Sequence, residues 1–175
     1  MGGNSMKKIL SITFVFALAL SWIFVSAPLS PAQANVGNIL QFNNMAGLPQ
    51  ELTGDQFPIR DMNGGGLPWM LTSANGVFSS NGNLVVNVRG LVFAAGPNEG
   101  SNTLPEFGVV VSCLNTDGSV NNFFGGAFPA TTGPAIMGGG NSNIHARIAL
   151  PETCIAPIIF ITNGAGTAWF AITGK

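Results

Sequence analysis

Ile155-Ala156-Pro157-Ile158-Ile159-Phe160-Ile161-Thr162 and Thr167-Ala168-Trp169-Phe170-Ala171-Ile172-Thr173 flank the four residues Asn163-Gly164-Ala165-Gly166. Two runs rich in β-branched and aromatic residues, joined by a short turn-forming link, read as a β-hairpin. The same grammar extends back along the chain. Ile144, Ala146, Ile148 and Leu150 alternate with His145, Arg147 and Ala149, the pattern of a half-buried strand. Phe107 to Leu114 is apolar on both faces and so predicts a central, fully buried strand. Asn115-Thr116-Asp117-Gly118 turns it into a further strand, Val120 to Phe128. Upstream, Trp69 to Ser73 leads through a turn at Ala74-Asn75-Gly76 to Val77-Phe78, and Asn81-Gly82 opens a long strand from Leu84 to Ala94. Beyond the first residues no window holds a 3.6-residue apolar period for three turns. About eight strands in one domain predict an all-β, antiparallel β-sandwich with jelly-roll or Greek-key winding.

The two ends of this core differ from it. Residues 35–68 are loop-rich, with Pro49, Pro58, Gly64-Gly65-Gly66 and Pro68, and are expected to wrap one end of the sandwich and add an edge strand near Ile39 to Phe42. The core proper is assigned to residues 69–175. Residues 1–34 carry Lys7-Lys8, an apolar run from Ile9 to Val25, and Ala32-Gln33-Ala34, a small-x-small cleavage pattern. They read as a signal peptide cut after Ala34, which directs the protein to a periplasm or out of the cell. The apolar run would make a helix of about 26 Å, so an uncleaved anchor is the alternative.

Charged residues make up 7% of the chain, against roughly 25% in an ordinary domain. Four of the six Lys and Arg and all seven acids lie beyond Ala34, an excess of three negative charges. Nothing here predicts nucleic-acid binding, or a membrane association once the leader is gone. Asn, Ser, Thr and Gly must supply the wet surface, which leaves weak electrostatic protection against self-association. Cys113 and Cys154 are the only cysteines. In an exported chain such a pair predicts a disulfide between strands, worth about 4 kcal/mol for a loop of about forty residues.

Candidate chemistry is sparse. Arg60, Asp61, Asn63, the three glycines after it and Trp69 fall within ten residues. Arg60 can grip a carboxylate and Trp69 can stack on a sugar ring. The structural alternative is a tight turn braced by Arg60 and Asp61, with Trp69 opening a core strand. His145 and Arg147 project two residues apart from the polar face of one strand, as a ligand-facing pair or as solvated strand residues. A single His and two committed cysteines predict no metal site and no cofactor. The acids are scattered, and neither a G-x-S-x-G elbow nor a phosphate-binding glycine motif is present. Of Phe123 and Phe124, adjacent in a strand, one should face the core.

Ile59-Arg60 with Gly64-Gly65-Gly66-Leu67-Pro68-Trp69, Asn81-Gly82 with Gly90-Leu91-Val92, and Cys113 with Cys154-Ile155-Ala156-Pro157 resemble features of an uncharacterised family of small exported β-rich proteins. The resemblance implies a shared disulfide-linked β fold and carries no activity. The expected function is a secreted, non-catalytic binding or assembly module for an extracellular ligand such as a glycan or surface component. Its ligand is expected at the Gly-rich loops 60–69 and 129–143, which are also expected to be mobile. Two other functions are kept: a small secreted hydrolase using His145 with an acid, and a self-associating envelope or matrix protein.

Overall fold

The computed structural model describes residues 37–151 and 153–174; the leader and its cleavage site lie outside them. Eight principal strands form: β1 (Asn38–Phe42), β2 (Ser73–Ser79), β3 (Asn83–Arg89), β4 (Glu106–Leu114), β5 (Val120–Pro129), β6 (Ser142–Arg147), β7 (Ile155–Thr162) and β8 (Ala168–Ile172). The only helical pieces among the described residues are two 3₁₀ turns, Gln50–Leu52 and Ala135–Met137. One antiparallel sheet runs in the order β1-β2-β3-β6. The other runs β5-β4-β7-β8 and continues into Ala46–Gly47. The chain changes sheet at β3→β4, β5→β6 and β6→β7, so that β6 returns beside β3 and β7 beside β4. This is a β-sandwich with the crossed, Greek-key kind of winding.

The two inner faces share one core. Ala74, Phe78, Leu84, Val86, Val88 and Ile144 come from the first sheet, and Phe107, Val109, Val111, Ile159 and Ile161 from the second. At one end Trp69 lies 4.2 Å from the ring centroids of both Phe93 and Phe170. Every residue of β4 from Phe107 to Cys113 is buried, as its two-sided apolar pattern predicts. Its pairing with β5 on one side and β7 on the other makes it central.

Two expected strand boundaries move. Ala74-Asn75-Gly76 does not turn but continues β2, because Gly76 leaves room for the Phe42 ring that lies against it from β1. The strand read from Leu84 to Ala94 stops at Arg89. Gly90 takes φ +63°, and Leu91 N–H donates to the carbonyl of Gly140 at 3.0 Å. Val92–Phe93 then pairs with Trp69–Met70 instead. The link β2→β3 is a three-residue loop, with Gly82 at φ +85° and its N–H donating to Ser79 at 2.9 Å.

Each glycine triplet holds closely packed positions. A Cβ on Gly64 would strike the Leu52 carbonyl, and one on Gly140 the Leu91 carbonyl. Thr131 ties the second loop shut: its hydroxyl donates to the Gly138 carbonyl and accepts from Asn141 N–H at 2.9 Å.

Cys113 and Cys154 form the disulfide, with Cα atoms 4.9 Å apart. It joins β4 to the residue just ahead of β7, two neighbouring strands of one sheet. Cys113 is buried, so the bridge anchors the sandwich at its most enclosed strand. Reduction is expected to remove about 4 kcal/mol of stability, read as a lower urea midpoint for the reduced protein than for the oxidised one.

Candidate functional site

The six residues singled out by sequence divide between the two sheets. Arg60 and Asp61 are the corner of a two-residue hairpin, both left-handed at φ +49° and +61°. Ile59 and Met62 exchange two backbone hydrogen bonds of 3.0 Å across it. The Arg60 guanidinium does not turn to Asp61. It donates at 3.2 Å to the Ser112 carbonyl of β4, while the Asn122 amide donates at 2.8 Å to the Arg60 carbonyl. Ser112 pairs with Ile158 next to the register shift in β7, so the arginine is anchored at the irregular end of that ladder. Partial burial lowers the Arg60 pKa from its ordinary value.

Asn63 is exposed and pairs with Ala168. Trp69 is 3% exposed, with its ring held between Phe93 and Phe170. The 57–69 cluster is therefore a clasp over the second sheet. Arg60→Ala is expected to lose about 1–2 kcal/mol in a urea titration.

His145 and Arg147 stand on the outer face of the first sheet, and there the register assembles something the sequence does not show. Asn143, Asn87 and Asn75 fall in one row across β6, β3 and β2. His145, Val85, Val77 and Gln41 fall in the next, and Arg147 lies beside Asn83. Apart from Ser142, whose hydroxyl donates to the Pro129 carbonyl, the inward residues of β2, β3 and β6 are apolar or glycine, so the alternation turns the other polar side chains to one side. A shallow depression of about 170 Å³ lies among Gln41, Asn43, Asn75, Val77, Val85 and Asn87. A second of about 440 Å³ at the rim involves Arg89, Thr131, Asn141 and Asn143.

The face is internally bonded. Asn87 donates to Asn75 Oδ1 at 3.2 Å, Arg89 to Asn143 Oδ1 at 2.8 Å, and Arg147 to Asn83 Oδ1 at 3.1 Å. Arg89 also donates to the carbonyls of Val88 and Ser142. The four strands contain no Asp or Glu, so none of them supplies an acid to work with His145. Among the acids elsewhere, Asp117 accepts from the Ser119 hydroxyl and N–H and closes the β4–β5 turn. Chiefly the hydroxyl bond holds its carboxyl below the ordinary value.

A larger depression of about 580 Å³ runs among Met45, Leu48, Pro68, Met70 and Ala94. Gln50 is the only polar side chain lining it, so it lacks converging polar groups. Of the Phe123–Phe124 pair, Phe123 packs on the core and Phe124 is 51% exposed. Compared with protein-family models, curated proteins and solved structures, the chain finds no significant match. Function must therefore be read from this geometry.

Proposed function

We propose that the protein is an exported, non-catalytic binding module whose ligand lies along the outer face of the first sheet. The observation that carries the reading is the row of Asn75, Asn87 and Asn143 beside an aliphatic strip of Val77 and Val85, on a rigid sheet with no acid of its own. Side-chain amides both donate and accept, which suits the hydroxyls of a glycan. Val85, 37% exposed, offers apolar contact to a sugar ring. Export is supported by the leader pattern at residues 1–34 and by the disulfide, which persists in oxidising compartments.

The site differs from the loops favoured by sequence because those loops are occupied in packing the second sheet and the rim. Thermal melting of the oxidised protein against a panel of polysaccharides tests the reading. A binding glycan should raise the midpoint saturably. The Asn75→Ala/Asn87→Ala variant should melt as the parent does and bind at least tenfold more weakly. Parent and variant binding alike would overturn the assignment of this face.

A second reading, assembly, rests on one observation. Ile136 is 96% and Met137 83% exposed, at the tip of the glycine-braced loop. No charged residue occurs between Asp117 and His145, so charge repulsion does little to protect that tip. If the tip mediates self-association, Ile136→Ser/Met137→Ser should convert a concentration-dependent sedimentation profile to that of a monomer.

A further inference from the structure

The hydrogen bonds within the outer face engage the oxygens of Asn75, Asn83 and Asn143, and of the four asparagines only Asn87 keeps its Oδ1 open. Arginine can only donate, so the bonds from Arg89 and Arg147 fix the amides of Asn143 and Asn83 with their oxygens turned inward. Asn75 likewise spends its oxygen on Asn87. Among the described residues, the amide nitrogens of Asn75, Asn83 and Asn143 find no hydrogen-bond partner in the protein. Along β6 the order is Asn143, His145, Arg147, with Arg89 reaching Asn143 from the neighbouring strand. A strand rises about 3.3 Å per residue, so the two guanidinium groups bracket a strip of about 13 Å.

Resting on the assignment of this face to a glycan, we propose that the glycan is anionic, a polysaccharide whose carboxylates are taken by the Arg89–Asn143–His145–Arg147 strip. A surface whose four strands carry no carboxylate and whose unpaired amide groups are mostly N–H donors suits an acceptor-rich ligand, and the unpaired N–H groups of Arg147 and of the amides are the donors a carboxylate needs. The strip is selective because the rest of the chain opposes it: beyond Ala34 the acids outnumber the Lys and Arg seven to four. An anionic polymer therefore draws its attraction to this face from Arg89 and Arg147, and at close range. Two guanidinium groups are too few for a nucleic-acid backbone, where tight binding typically engages six to ten phosphates.

Polygalacturonate and its methyl ester share one backbone and differ in charge, which makes them the probes of choice. By calorimetry on the disulfide-intact protein, polygalacturonate should bind at least tenfold more tightly than the ester, and about tenfold more weakly when salt rises from 50 to 300 mM. Arg147→Gln should cost at least fivefold, and Val85→Glu, which puts an acid on the face, should abolish binding. Both should melt near the parent, since neither residue is buried. Equal affinity for acid and ester overturns the anionic inference and leaves the glycan reading standing. Absence of binding to any polysaccharide removes both. Dextran sulfate separates the two anionic groups: binding of sulfate alone, or binding untouched by Arg147→Gln and Val85→Glu, overturns the carboxylate assignment.

Discussion

The two-sided burial of β4 is the constraint on which the rest of the molecule depends. Phe107, Val109 and Val111 fill the core between the sheets, while Val110 and Ser112, on the opposite side of the same strand, are buried as well. An ordinary sandwich leaves its outer faces to water. Here the second sheet also has Phe160 and Trp169 fully buried, so it needs a cover. The cover is the loop-rich segment before β2, which enters the sheet at Asn63–Gly64 beside β8 and is clasped by Arg60 to Ser112. Two non-glycine residues stay left-handed in that clasp, a strain the surrounding bonds must hold. A segment so committed is a poor place for a mobile ligand loop.

That commitment decides where function can sit. With β7 and β8 covered on their outside, and β5 left as an edge that exposes Phe124, the first sheet offers a broad polar surface of regular structure among the described residues. Its strands carry Asn, Ser, Arg and His outward, and the scarcity of charge in the chain makes these amides the main polar chemistry available. Rigidity favours binding here: side chains held by cross-strand bonds lose little conformational entropy when a ligand settles on them.

Much of this fold was legible in residues. The two-sided apolar run at Phe107–Leu114, the hairpin about Asn163–Gly166 and the edge strand near Ile39 appear where their patterns place them, and the alternation from Ile144 appears as a strand that ends at Arg147, three residues short of Leu150. The errors came from glycine. Gly76 looks like a turn residue in sequence but makes way for the Phe42 ring, a contact 34 residues away. Gly90 was read through as part of a strand, yet its positive φ sends the chain to another ladder. Local sequence shows that a glycine is needed and not which partner needs it.

The site was legible only in part, for a related reason. His145 and Arg147 announce themselves by alternating along one strand, whereas Asn75, Asn83, Asn87 and Asn143 join them only through register. Each asparagine alone is an ordinary surface residue. A row of them exists because β2, β3 and β6 meet in an order set by the crossed winding, with β6 arriving beside β3 after the chain has visited the other sheet. The direction of the Asn83 and Asn143 amides is a further step removed from sequence, since it follows from donor-only Arg147 and Arg89 engaging their oxygens. Two arginines in a chain poor in charge thus orient two of the four amides on that face.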